Sequence, residues 1–189
     1  MTREIDSIIA HGNPAKTGCG CDGHRMTESV ITVAARELGY TERPINRTKY
    51  GQAFGLDGAP WCAIWIWWVF QYAGQPLPVK AAACSVLLQS FRQRKQFHST
   101  PAPGDVFFCG ATGGDHTDLV ESVKPDGRTF TTIEGNASAG GSYNGTKVVR
   151  RTRKVGDGRV FGFGRPGTSI SAVPVRHGSI RRRPAQGRL

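Results

Sequence analysis

The chain has 189 residues and a formal net charge of +11, with 38% hydrophobic and 9% aromatic residues. That length and apolar content suit one folded domain with its own core and exclude a wholly disordered chain. The basic balance points to an anionic partner, whether nucleic acid, anionic lipid or a cell-wall polymer, and five cysteines, an odd number, exclude a fully paired disulfide framework within one chain.

Residues 1–25 read as a loose leader, with His11-Gly12-Asn13-Pro14 and Gly18-Cys19-Gly20-Cys21-Asp22-Gly23-His24 of loop composition. Cys19, Cys21 and His24 are considered as zinc ligands and set aside. Their spacing is not of the C-x₂-C type and no fourth ligand is evident. The first residues, Met1-Thr2-Arg3-Glu4-Ile5-Asp6, carry acids and lack the apolar core of a secretory signal. The expectation is a product made and kept soluble in the cytoplasm, whatever its site of action.

Thr27 to Gly39 reads as an amphipathic helix capped by Thr27, with Val30, Ile31, Ala34 and Leu38 on one face. Arg47 to Gly55 reads as an aromatic, glycine-rich loop. Gly58-Ala59-Pro60 then ends whatever precedes it, and the apolar run from Trp61 to Gly74 predicts a buried helix. The run is too short and too aromatic to span a bilayer comfortably. Val79 to Phe97 reads as a further helix, with Cys84 in its core.

After Pro101-Ala102-Pro103-Gly104 the period changes to that of strands. Strands are expected over 105–109, 116–123, 129–136, 147–153 and 160–166, with turns at Asp126-Gly127 and Asn144-Gly145. Helices followed by an antiparallel meander give an α+β fold. From Arg165 to Leu189 there are six arginines and no Lys, Asp or Glu. The expected organisation is therefore a leader over 1–25, a folded domain over 26–166 and a basic tail over 167–189, disordered in isolation.

Cys62 is the first candidate for chemistry. The Gly-Ala-Pro-Trp lead-in places it on the first turn of its helix, where unpaired N–H groups and the helix dipole favour an anion. A thiol there ionises more readily than the usual value of about 8.5 allows, and the thiolate is the nucleophile. Such a nucleophile needs a base. His116 starts a strand after the Gly113-Gly114-Asp115 loop and is the best of the five histidines for that role. Glu134 and Asn136 stand two apart at the end of the next strand and so share a face. Glu134 is expected to be the acceptor that orients His116, with Asn136 as a second polar partner to the base or to substrate.

Pro60-Trp61-Cys62-Ala63, Pro103-Gly104-Asp105-Val106, the His116 strand and Ile133-Glu134-Gly135-Asn136 resemble the CHAP domain (cysteine, histidine-dependent amidohydrolase/peptidase). The similarity extends from about Arg47-Thr48-Lys49-Tyr50-Gly51 to Val160-Phe161-Gly162-Phe163-Gly164-Arg165-Pro166 and covers roughly residues 26–166. The resemblance implies a papain-like NlpC/P60 fold and cleavage of an amide bond in peptidoglycan through an acyl-enzyme on Cys62, as amidase or endopeptidase. It gives the base role to His116 and the orienting roles to Glu134 and Asn136, with no cofactor. Tyr50, Gln52 and Trp61 are candidate substrate contacts, Tyr50 and Gln52 also as second oxyanion donors. Asp57 is too isolated to suggest a calcium site. One departure stands out: Asp118 occupies a position two after the histidine where such domains often carry glycine. Its carboxylate is expected either to face solvent or to raise the pKa of the base.

The expected setting is a phage endolysin or virion-associated lysin, monomeric and not inserted in the membrane, whose basic tail is drawn to anionic wall polymer. A competing reading makes the fold an inactive relic and lets Arg181-Arg182-Arg183 bind nucleic acid through its phosphates.

Overall fold

The computed structural model describes residues 28–138 and 144–167. The expectations for the leader, with Cys19, Cys21 and His24, and for the arginine-rich tail lie outside the described residues. Among the described residues, four helices form a layer against one six-stranded antiparallel sheet, an α+β arrangement.

Helix α1 (Val30–Arg36) is shorter than the 27–39 span expected, and its cap is Ser29, whose hydroxyl accepts from the Ile31 N–H at 3.3 Å. Helix α2 (Lys49–Phe54) replaces the expected loop. The periodicity of so short a helix is hard to read, but its ends are well specified. The Thr48 hydroxyl accepts from Gly51 N–H at 2.9 Å, and Gly55 closes it in the left-handed region at φ 87°.

Helix α3 (Cys62–Tyr72) is buried nearly all round, with Ile64, Trp65, Ile66 and Val69 fully covered. It is the axle of the helical layer and packs on the sheet. Helix α4 (Cys84–Gln93) is about half the length expected. Ala83 is still extended at ψ 130°, and at the other end Lys95 turns left-handed at φ 57°, after which Gln96 N–H returns to Phe91 O at 2.9 Å. The chain then enters the sheet as β1 (Phe97–His98), a strand where the sequence predicts the end of the helix.

The remaining strands are β2 (Val106–Cys109), β3 (His116–Val123), β4 (Thr129–Ala137), β5 (Lys147–Lys154) and β6 (Val160–Gly164). The expected simple meander holds only from β2 to β5. The sheet order is β1-β6-β2-β3-β4-β5, so the last strand crosses back to lie between the first two. Gly164 makes that position available: a side chain there would run into the Phe91 ring of α4.

Alternation along the strands sorts the core in two. Val106, Phe108, Leu119 and Ile133 meet the helices, while Phe107, Cys109, Val120, Phe130 and Phe163 form a second cluster. Gly135 on β4 lets the sheet approach α3 closely. A Cβ there would sit 2.6 Å from the Trp65 ring. Gly135→Ala is expected to lower stability by about 1–3 kcal/mol, read as a fall in thermal midpoint; an unchanged midpoint would show that α3 and β4 can separate freely. Among the described residues no helix is long and apolar enough to cross a membrane.

Candidate active site

Cys62 is the first residue of α3, and its N-cap, Trp61, supplies no side-chain hydrogen bond to the first turn. The free N–H groups and positive end of the helix dipole are thus left to act on the cysteine. His116 is the first residue of β3, paired across the ladder with Cys109. The fold brings these two elements together at one end of the sheet. Cys62 is 6% exposed, His116 1% and Asp118 0%.

His116 Nε2 lies 2.9 Å from Asp118 Oδ1. Strand geometry explains the pairing, since residues two apart share a face. Asp118 is in turn 3.5 Å from Arg153 Nη2 through Oδ2. The Arg153 guanidinium then reaches Glu134 Oε1 at 2.7 Å, and Arg151 Nε lies 3.2 Å from Glu134 Oε2. Thr132 Oγ1 donates to Glu134 Oε1 at 2.7 Å. Arg153 stacks on the Phe107 ring, 4.8 Å from its centroid, which fixes the guanidinium in place.

This geometry corrects the role expected of Glu134. The acceptor against His116 is Asp118, and Glu134 stands one ion pair further back, held by two arginines. Asp118 does not face solvent; it is fully buried against the base. Ligand-type atoms of His116, Asp118 and Glu134 lie within 4.8 Å of one another. The positive charge among the two carboxylates is the Arg153 guanidinium, so the group is a closed ion-pair network.

Asn136 is buried at the β4–β5 bulge with φ 60°, and its Nδ2 donates to Asn144 Oδ1 at 3.2 Å. Its amide nitrogen is thus engaged with the segment that leads into β5, while its buried Oδ1 has no hydrogen-bond partner among the described residues. Tyr50 and Trp61 are also reassigned. Both are fully buried and stack on each other at 5.4 Å between centroids. Tyr50 Oη donates to Glu37 at 2.5 Å and Trp61 Nε1 to Glu42 at 2.5 Å. Burial, with Glu37 beside it, pushes the Tyr50 hydroxyl far above its usual pKa. These rings brace α2 against α3 and offer no face to a substrate. Gln52 is exposed and lines a recess of about 330 Å³ with Tyr40, Arg43, Arg47 and Lys49.

Two residues not assigned from sequence enter the site. Arg153 comes from the alternating strand 147–154, whose faces are legible in the sequence although its neighbours are not. Cys84, expected in the core of its helix, instead opens α4 and places its Sγ 3.5 Å from Cys62 Sγ. A recess of about 490 Å³ runs along α4 from Ser85 to Arg94.

These contacts set the electrostatics. The hydrogen bond with Cys84 holds the Cys62 thiol well below its usual pKa, and the hydrogen bond and charge of His116 add to this, against burial and the Asp118 charge. Burial pulls His116 down, but the charge and hydrogen bond of Asp118, with Cys62, raise it well above the usual imidazole value. Burial and repulsion from Asp118 push Glu134 up, against Arg153, Thr132 and Arg151. Both shifts favour the thiolate–imidazolium form of the pair.

The ion pair is lost as pH falls through the lowered pKa of Cys62 and as it rises through the raised pKa of His116. A plot of kcat/KM against pH is expected to be a broad bell whose alkaline limb lies above the ordinary imidazole value of 6.5. An alkaline limb at that ordinary value would contradict the Asp118 contact.

Comparison with curated proteins and with solved structures finds no match. The stretch that carries Cys62, His116, Asp118, Glu134 and Asn136, residues 55–136, matches the family model described as the CHAP domain, a family of cysteine- and histidine-dependent amidohydrolases acting on peptidoglycan.

Proposed function

We propose that this protein is a peptidoglycan hydrolase that cleaves an amide bond through an acyl-enzyme on Cys62. The observation that carries the reading is the convergence of a helix-opening cysteine on a strand histidine backed by a buried carboxylate. The placement of Cys62 on a helix start and of His116 on the sheet is also what a papain-like NlpC/P60 fold would give.

In the proposed mechanism the Cys62 thiolate attacks the amide carbonyl carbon, and the carbonyl electrons move to oxygen. The backbone N–H groups at the start of α3 face that developing charge. His116, with Nε2 committed to Asp118, exchanges the proton through Nδ1. It protonates the leaving amine as the C–N bond breaks, leaving a thioester on Cys62. A water molecule then loses a proton to His116 and attacks the thioester. The carboxylic acid departs and the thiolate returns. Asp118 keeps the ring in one orientation and stabilises the imidazolium throughout.

The candidate substrates are the sugar–peptide link and bonds of the stem peptide. A phage lysin acting on the wall from the cytoplasmic side is the setting that suits this chemistry and a net charge of +11. Incubation with purified cell walls, then mass spectrometry of the soluble fragments, tests the reading. New amino and carboxyl termini at one class of amide bond are expected, both from the full chain and from a chain ending at Pro166. Release of sugars with reducing ends and no new amide-derived termini would refute it.

A further inference from the structure

Cys84 takes no part in the bond-making steps of hydrolysis, yet its sulfur lies directly against that of the nucleophile. The two Sγ atoms are 3.5 Å apart, both residues are 6% exposed, and each opens a helix. With Ala63 they form a small buried cluster of their own. At that distance two thiolates would repel strongly in a medium of low dielectric, so the pair holds at least one proton at neutral pH.

Which sulfur keeps the proton is decided by the neighbours. The titratable and charged groups around the sulfurs are His116 and Asp118 from β3, with Arg153 from β5 behind Asp118. His116 acts on Cys62, and its positive charge favours an anion there. Cys84 meets the Cys62 sulfur, burial and the Asp118 charge, all of which raise its pKa. The anion therefore settles on Cys62 and the proton on Cys84.

We propose that Cys84 is a positioning residue for the nucleophile: its S–H donates to the Cys62 sulfur and keeps that sulfur anionic and aimed while the site awaits substrate. The inference rests on the reading of Cys62 as nucleophile, but its test reads ionisation and not hydrolysis. A failure here would leave the hydrolase reading standing, and a protein that cuts no wall could still show the effect.

The test is the pH dependence of Cys62 alkylation by iodoacetamide, tracked site by site with mass spectrometry. In the unsubstituted protein, at about pH 6, Cys62 is expected to react well before Cys84. In Cys84→Ala the donor is gone, and the midpoint for Cys62 is expected to move up by about one to two pH units, the worth of a hydrogen bond to a charged group. In Cys84→Ser an O–H replaces the S–H, and the midpoint is expected to stay within about half a unit of the original. A Cys84→Ala profile superimposed on the original overturns the proposal, as does an equal shift in both variants. Should Cys84→Ala fail to fold, the unsubstituted protein still gives an answer. One equivalent of diamide takes up two electrons and two protons from the dithiol and becomes the hydrazine, leaving a Cys62–Cys84 disulfide. Absence of that cross-link, with both thiols alkylated afterwards, overturns the contact on which the proposal stands.

Discussion

Cys62→Ala and His116→Ala are each expected to lower wall hydrolysis by roughly a thousandfold or more while leaving a measurable residual rate, with the double variant no worse than the single ones. The non-additivity is the informative part. In the proposed mechanism the two residues act as one unit: the imidazolium stabilises the thiolate, and the departing amine has no proton donor without it. His116→Ala removes the positive charge beside Cys62, so the thiol also returns toward its ordinary range. Measured kcat/KM for the singles and the double, on purified peptidoglycan, decides the matter. Independent, additive losses would mean that Cys62 and His116 serve different steps and that the thiolate–imidazolium pair is not the resting state.

Asp118→Asn is expected to reduce kcat by about a hundredfold to ten-thousandfold, and Glu134→Gln by less than about tenfold. The amide of asparagine fits the same space but cannot stabilise the imidazolium, and it can present an N–H to His116 Nε2 and so enforce the wrong tautomer. Burial would then act on His116 without the opposing charge, and the alkaline limb of the pH profile moves to lower pH. Glu134 touches Arg153, Arg151 and Thr132, and Arg153 links it to Asp118 and so to the base. Its loss leaves a largely buried guanidinium short of a partner, so the main effect is on stability, about 3 kcal/mol, read by thermal unfolding. A larger kcat loss in Glu134→Gln than in Asp118→Asn would restore Glu134 to the orienting role and displace Asp118.

Several features of this site are legible along the chain because they are local. Gly58 and Pro60 interrupt the backbone, which leaves Cys62 at the start of the next helix. The β-formers of 129–136 and the alternation of 147–153 are properties of successive residues, and the strands lie where those patterns are. The helix at 49–54 is not legible, because one capping threonine and one left-handed glycine define it and the apolar period is too short to register. The end of α4 is equally hidden, because Lys95 adopts a left-handed turn that its side chain does not announce.

The order of residues is enough to establish a helix-opening thiol, a strand-opening imidazole, and carboxylates on the same strand and on the next. It does not say which carboxylate meets the ring; that choice belongs to the folded chain. Asp118 is two residues from His116 on the same pleat, while Glu134 reaches the site across a ladder whose register slips between Val120 and Ser122. Folding also brings a second thiol, 22 positions away on another helix, against the first. Periodicity fixes the face on which a side chain stands. Which side chain of another element it meets depends on register, bulges and crossing angles, and these are set by the packing of the whole core.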